Sequence, residues 1–402
     1  MSATDQAETV EAHRPLSRFR VLELTVARAG PSAGRTLADW GAEVIKIEPP
    51  AAIAEADVMG KRNSSDRMNL NRNKESLTLN LKTEEGREIF LELAKTADVI
   101  IENMRADVKH RLGIDYESIR KVNPRIVYGS ISGFGQSGPY KGRAGVDQIA
   151  QGMGGLMSVT GLPGQGPVRA GVALVDLSAG AFVVQGILMA LLEREVTGQG
   201  RWVQTSLLES MIWMLDFQAA RWLVDGEVAQ QSGNNHPTGI PSGLFPTSDG
   251  QIQIAATGDK LFARFCKLAK ADHLLNNPDY ASPQTRLQNR DALNAEIAAL
   301  TRTRSSREWT DILADGGVPC GPVNSVDLVF DDPQVKHLDM VLQTPTHDRG
   351  RVPLVAPPMS IDGRARVAQK SPPELGEQTD RLLGELGLDS ARIAALRKDG
   401  II

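Results

Sequence analysis

The N-terminal part of the chain repeats one pattern: a short apolar run, a loop with glycine or proline, and a longer amphipathic segment. Residues 20–25 predict a strand, residues 31–40 a helix, and residues 43–48 a second strand. Proline is tolerated in the first turn of a helix, and Gly41 ends this one. The three segments therefore predict a β-α-β unit.

The same alternation continues along the chain. Further strands are predicted at 76–81, 98–102, 125–132 and 201–205, with a helix at 83–96 and an apolar, buried helix through 181–192. Strands that alternate with helices favour a mostly parallel α/β sheet. A helix then extends to about residue 224, a Gly-, Asn- and Pro-rich segment at 226–240 predicts a linker or mobile loop, and a helical pattern covers 379–397.

Composition narrows the possible partners. The 402 residues exceed the usual size of one hydrophobic core, so two domains are expected. A net charge of -4 and only 4% aromatic residues argue against nucleic-acid binding. Cys266 and Cys320 lack metal-ligand spacing, so neither a disulfide framework nor a metal site is expected. Residues 1–16 contain no apolar signal segment and 179–192 are too short to span a membrane, so a cytoplasmic protein without membrane partners is expected.

Asp176 is the most informative residue, because it precedes the apolar helix directly. The free N–H groups and the dipole of a helix N-terminus keep a carboxylate ionised. Such a carboxylate can attack an activated acyl group, which makes Asp176 a candidate covalent nucleophile. Aspartate is also a favoured N-cap, so the local sequence leaves both roles open.

The loop after the first strand, 27–34, resembles a dinucleotide-binding turn only superficially. It lacks the G-x-G-x-x-G pattern, and Pro31 stands where the chain would approach a pyrophosphate. NAD binding is therefore not expected.

Ordered motifs across about 19–402 resemble the family III CoA-transferases, a group that includes formyl-CoA and carnitine CoA-transferases. The matching segments are Ala29-Gly30-Pro31, 37–48, 71–74, 79–82, Glu102-Asn103, Arg111-Leu112-Gly113, 129–135, Gly138-Pro139-Tyr140, the setting of Asp176, 317–324 and 372–376. The resemblance implies that CoA passes from a thioester to a free carboxylic acid through an aspartyl-CoA thioester. It implies Asp176 as the nucleophile, and CoA as a substrate rather than a tightly bound cofactor.

Asp147 is a second candidate catalytic residue, because formyl-CoA transferases carry an acidic residue there. A helix cap is the competing interpretation. Acyl-CoA racemases of the same fold use a His–Asp pair in this stretch, whereas this chain has Val146, which takes no proton. The racemase is therefore the disfavoured alternative, and a non-catalytic CoA-binding protein is another.

The resemblance also implies a CoA-binding set. Its members are Arg28, Ala29, Lys74, Leu79, Asn80, Leu81, Lys82, Asn103, Met104, Arg105 and Arg111. A set of cations on neighbouring loops could bind the phosphates: Lys74, Lys82, Arg105, Lys109 and Arg111. Each of them alone is better explained as a solvated surface residue.

Three residues are candidates for binding the acyl group or acid: Arg28, Arg169 and His236. An arginine suits a distal carboxylate, although Arg28 is as easily a structural loop residue. Formyl-CoA transferase has glutamine at position 28, and its glycine-rich loop is replaced here by 232–237. These departures favour succinate, glutarate or similar diacids over oxalate and formate.

The resemblance finally implies a Rossmann-like large domain and a smaller α+β domain. The large domain would contain 1–200 and, after a linker helix at 201–224 and a small domain at 225–325, the returning stretch 326–402. Proteins of this family are interlocked homodimers, so a homodimer is expected.

Overall fold

The computed structural model describes residues 14–54, 60–362, 366 and 368–402. They divide into two compact units. Unit 1 comprises the described residues of 14–155, 170–216 and 336–402, and unit 2 comprises 156–169 and 217–335. Most of the predicted polar tail, residues 1–13, lies outside the described residues.

The strands alternate with helices along unit 1, as predicted. The strands of the chain are β1 (Arg20–Leu24), β2 (Glu43–Glu48), β3 (Lys74–Thr78), β4 (Val99–Glu102), β5 (Val127–Ser132), β6 (Trp202–Ser206), β7 (Ser242–Pro246), β8 (Gln251–Ala255), β9 (Cys320–Pro322), β10 (Val341–Pro345) and β11 (Arg351–Val355). Within the described residues, six parallel strands form one sheet in the order β3-β2-β1-β4-β5-β6. The predicted mostly parallel α/β sheet is confirmed.

The helices, in chain order, are α1 (Ala29–Asp39), α2 (Ser65–Asn71), α3 (Glu84–Thr96), α4 (Ala106–Leu112), α5 (Tyr116–Val122), α6 (Asp147–Met153), α7 (Leu156–Val159), α8 (Leu174–Thr197), α9 (Leu207–Met214), α10 (Phe217–Asp225), α11 (Asp259–Leu268), α12 (Asp272–Leu275), a 3-10 turn (Pro278–Tyr280), α13 (Pro283–Gln288), α14 (Arg290–Thr301), α15 (Ser306–Asp315), α16 (Val326–Asp331), α17 (Pro333–His337), α18 (Thr379–Glu385) and α19 (Ser390–Lys398). Those of unit 1 cover both faces of the sheet, and β3 and β4 are therefore buried along their whole length.

Helix α8 is the predicted apolar helix, but it is longer than its apolar run. It has 24 residues, and by length and composition alone it could cross a membrane. It packs instead against α1, β5 and β6. A Cβ on Gly180 would collide with Ser32 and the Ala29 carbonyl, so this glycine lets α8 approach α1 closely.

The C-terminal stretch returns to the β3 edge of unit 1. The Thr379 hydroxyl accepts from Thr78 N at 3.0 Å, and Ile401 O accepts from Asn80 N at 2.7 Å. Leu382, Leu383, Ile401 and Ile402 join the core around β1 and β2. The segment predicted as a linker helix, 201–224, differs: it contains β6 and α9, which belong to unit 1, and α10, which belongs to unit 2.

Unit 2 contains an antiparallel sheet in the order β7-β8-β9. Its core surrounds Phe245, Phe262, Phe265 and Trp309, all nearly inaccessible to solvent. The sequence predicted a smaller α+β domain at 225–325, whereas unit 2 covers 217–335 and also 156–169, which were predicted in the large domain. The break between α9 and α10 at Asp216, with φ of 45°, was not predicted.

Candidate active site

The carboxyl end of the parallel sheet brings two predicted loops together. β1 and β4 are neighbours in the sheet. The chain continues from β1 to β2 on one side of this pair and from β4 to β5 on the other. At this position open α/β sheets bind their ligands. The Asn103 amide joins the two loops: Oδ1 accepts from Val26 N at 2.9 Å, and Nδ2 donates to Val26 O at 2.8 Å.

A buried ion cluster fixes the loop after β1. Glu23 lies opposite Lys46 in the β1–β2 ladder, and its carboxylate is 2.7 Å from the Lys74 ammonium. Lys46 also donates to Thr25 O at 2.8 Å, and Lys74 donates to Pro31 O at 2.9 Å. The two lysines therefore anchor both ends of the segment that carries Arg28.

Two lysines predicted to meet CoA phosphates lie in the interior instead. The side chain of Lys74 is 0% exposed in its pair with Glu23. Lys109 is equally buried, and it donates to Glu102 at 2.6 Å and to Gln136 at 2.7 Å. Buried ammonium groups need such partners, so both serve internal networks rather than a ligand in this structure.

Arg28 lies at the N-terminus of α1 with its guanidinium paired to Asp66. The pair is bidentate, with nitrogen–oxygen distances of 3.0 and 2.6 Å. The next residue, Ala29, is buried against Gly180 of α8. This contact brings the start of α1 to the first turns of α8, where Asp176 lies.

Asp176 occupies the first turn of α8, as predicted, with a carboxylate that is only partly buried. Within the described residues, this carboxylate has neither a hydrogen-bond donor nor an ion-pair partner. Burial, reinforced by the negative charge of Asp147, raises the pKa of Asp176 to about 6, although Arg28 opposes the shift. An unpaired carboxylate with raised basicity suits a nucleophile better than a helix cap.

The helix cap is supplied by Asp147. Its Oδ1 accepts from Val175 N at 2.9 Å and, at 3.4 Å, from Asp176 N. Ala173, the residue at the N-cap position of α8, makes no side-chain cap. Asp147 is therefore a helix cap, as one interpretation predicted, and the helix that it caps carries Asp176.

The remaining CoA candidates follow the strands β3 and β4 in the chain. Lys82, Arg105 and Arg111 are exposed, and Arg105 and Arg111 approach Asp107 at 3.9 and 3.8 Å. Asn80 is partly buried, Leu79 is buried, and Leu81 and Met104 pack against the core. None of these four carries a charge.

Two predicted acid-binding residues belong to unit 2. Arg169 is exposed. His236 Nδ1 accepts from Gly239 N at 2.8 Å, and its ring stacks on Phe217. These contacts fix the ring between its own loop and Phe217 at the start of α10.

The sequence reasoning missed Gln151 and Asp66. Gln151 is 0% exposed, and its amide connects Asp147 to the segment before α8. Its spacing of four residues from Asp147, on one helix face, was an available signal. Asp66 lies in the first turn of the unpredicted helix α2, for which Ser64 as N-cap was a signal.

Comparison with known proteins agrees with these features. The model of CoA-transferase family III matches residues 16–379. The succinyl-CoA:glutarate CoA-transferase of Mus musculus is 36% identical over 397 residues, which cover 98% of this chain and 91% of that protein. The acetyl-CoA:oxalate CoA-transferase of Acetobacter aceti is 34% identical and covers 94% of this chain and 97% of its own length.

A solved structure shares the fold. The crystal structure of a CAIB/BAIF family protein from Brucella suis superposes with a TM-score of 0.80 at 36% sequence identity. The match covers 93% of this chain and 99% of that one.

Proposed function

The chain belongs to CoA-transferase family III and is an enzyme of the CoA-transferase class, and from this premise we propose that it moves CoA from a succinyl-CoA-type thioester to a small dicarboxylic acid. The observation that carries the proposal is the carboxylate of Asp176. It is unpaired within the described residues, its pKa is raised to about 6, and it lies beside the point where open α/β sheets bind ligands.

The proposed reaction begins when an Asp176 oxygen attacks the carbonyl carbon of the donor thioester. The C–S bond breaks, CoA leaves as a thiolate, and a mixed anhydride forms. The thiolate then attacks the Asp176 carbonyl carbon of that anhydride, which releases the donor acid as a carboxylate and leaves an aspartyl-CoA thioester.

The acceptor repeats these two steps in the reverse direction. Its carboxylate attacks the aspartyl-CoA thioester and expels the thiolate, which gives a second anhydride. The thiolate attacks the acceptor's carbonyl carbon, so that the new acyl-CoA leaves and Asp176 is regenerated. The overall reaction exchanges one thioester for another, so it is nearly balanced in energy and needs no ATP.

Charged side chains at the edge of the sheet support binding of two anions. We assign the CoA phosphates to the exposed cations Lys82, Arg105 and Arg111. The fork of Arg28 suits a distal carboxylate, and its present partner Asp66 is itself a carboxylate. Roles for Arg169 and His236 remain predictions from the sequence.

A homodimer is part of the proposal. α8 exposes an apolar face, with Met189 67%, Leu192 72% and Val196 89% exposed, and Trp213 of α9 is 71% exposed. Large exposed apolar surfaces are typical of interfaces. Light scattering should give twice the mass of the 402-residue chain, and a monomeric mass at micromolar concentration would contradict this part.

The transfer itself is tested by incubating the protein with succinyl-CoA and, separately, glutarate, oxalate and a monocarboxylic acid. Chromatography should show the CoA thioester of a dicarboxylic acid forming in equal amount to the succinyl-CoA consumed. Glutarate is expected to react faster than oxalate. Uptake of solvent deuterium at the α-carbon of a branched acyl-CoA, without transfer to any acid, would overturn the proposal in favour of a racemase.

A further inference from the structure

Among the polar residues of α6, Gln151 is 0% exposed and Asp147 is 8% exposed, whereas Gln148 faces solvent. Its Nε2 donates to Asp147 Oδ2 at 2.7 Å, and its Oε1 accepts from Ala170 N at 2.8 Å. A longer contact of 3.4 Å joins the same Nε2 to Val172 O. One buried amide therefore fixes both the Asp147 carboxylate and the segment that enters α8.

Asp147 passes this constraint to Asp176. Its other oxygen accepts from the backbone N–H groups of Val175 and Asp176, which hold the first turn of α8. The cap comes from another helix and carries a full charge of the same sign as the nucleophile. A neutral serine or asparagine would cap the helix as well, so the charge itself calls for an explanation.

We propose that Asp147, held by Gln151, is a positioning residue that fixes the first turn of α8 and whose negative charge drives charge off Asp176 during acylation. The inference rests on the proposed function. In the free enzyme the two carboxylates repel each other. When Asp176 attacks the thioester, its charge moves to the departing thiolate, and the repulsion is relieved in the anhydride and in the aspartyl-CoA thioester.

Within the described residues, Asp147 and Arg28 are the charges that shift the pKa of Asp176. Arg28, before α1, attracts it, and this attraction opposes the effect of Asp147. Glu209 of α9 instead accepts a hydrogen bond from Ser206 at 2.7 Å. Asp147 is therefore the like charge whose removal isolates the effect.

The test measures the rate at which succinyl-CoA acylates the enzyme, in a single turnover, across about pH 4.5 to 8.5. The wild-type rate should fall as the pH drops through about 6. Asp147→Asn keeps the shape and the oxygen that caps α8, while its amide replaces the oxygen that accepts from Gln151, and we expect a folded protein. Its midpoint should lie lower by about one pH unit, with a plateau rate lower by up to about tenfold.

Gln151→Leu separates position from charge, because it retains both carboxylates. Its plateau rate should fall without any downward shift of the midpoint. Asp115→Asn is the matched control, since Asp115 caps α5 by accepting from Glu117 N and Ser118 N and should leave rate and midpoint unchanged. An Asp147→Asn midpoint equal to that of wild type would overturn the inference, while absence of any acylation in wild type would overturn the proposed function, and this inference with it.

Discussion

Two carboxylates of unit 1, the buried Glu23 and the partly buried Asp176, have neighbouring charges of opposite sign. Glu23 lies between the ammonium groups of Lys46 and Lys74. Burial alone would raise its pKa, but the two lysines outweigh burial and hold the pKa below its ordinary value. Asp176 faces the like charge of Asp147, and its pKa is raised to about 6.

This difference in pairing distinguishes a carboxylate that stabilises the fold from one that is available to react. Glu23 has partners on two strands, and breaking that cluster exposes buried charges to an apolar interior. The Asp176 carboxylate has no such partner within the described residues, so its charge is available to a reaction. The first site fixes the loop that carries Arg28, and the helix that carries Asp176 packs beside that loop.

The largest expected effect is on catalysis at the second site. Asp176→Ala should lower the rate of CoA transfer by at least about 10⁴-fold, because the covalent pathway is lost. Steady-state rates with succinyl-CoA and glutarate measure this. Asp115→Asn in the same unit should retain its activity, and a residual rate within tenfold of wild type in Asp176→Ala would contradict the assignment.

At the first site the effect falls on stability. Glu23→Gln leaves Lys46 and Lys74 buried without a counter-charge, and the free energy of unfolding should fall by about 3–5 kcal/mol. Glu43→Gln is the matched control on the neighbouring strand, since Glu43 pairs with Arg20 near the surface and should cost at most about 1 kcal/mol. Denaturant unfolding compares the two, and equal losses would remove the contrast.

Arg28 lies between the two sites, and its substitution should affect acid binding. We expect Arg28→Ala to raise the KM for the acceptor acid by about tenfold or more, because a bidentate carboxylate contact is lost. Asp66→Asn should lower that KM, since it removes the competing carboxylate. Arg201→Ala provides the control, because Arg201 precedes β6 at its amino end and pairs with Glu193. A normal KM in Arg28→Ala would assign Arg28 a structural role.

The smallest effect has a distinctive pH dependence. The fold raises the pKa of Asp176 from 3.8 to about 6. Above pH 6 the ionised carboxylate therefore destabilises the folded state. Asp176→Asn should therefore stabilise the fold at about pH 8 by on the order of 1–2 kcal/mol after solvent screening. The gain should fade as the pH drops from about 6 toward 3.8, and melting curves at both ends check it; a gain independent of pH would contradict the cause.

Much of unit 1 could be predicted because its strands and helices carry local signals. The run through Leu22 and the glycine at 41 mark the first strand and the first helix end, and both lie within two residues of the prediction. Asp176 was found because its helix is unusually apolar. Lys74 was assigned to CoA as a cation before the strand predicted at 76–81, whereas it begins β3. Its partner Glu23 lies 51 positions earlier and meets it only in the folded sheet, so no local pattern reveals the pair.

Tertiary contacts also explain what was missed at the site. The cap that Asp147 gives to α8 spans 28 positions and crosses between two helices. No periodicity reports such a contact. The pairing of Arg28 with Asp66 likewise joins residues that are 38 positions apart, so no local pattern predicts it.

The central claim is that Asp176 becomes covalently acylated, and intact-mass spectrometry tests it most directly. The protein is incubated with succinyl-CoA, acetyl-CoA or a branched acyl-CoA, beside Asp176→Ala. The account predicts a CoA-sized or acyl-sized adduct, greatest with succinyl-CoA, that maps to Asp176 and is absent from the variant. An adduct of equal yield in Asp176→Ala, or none with any donor while CoA still binds, would contradict it.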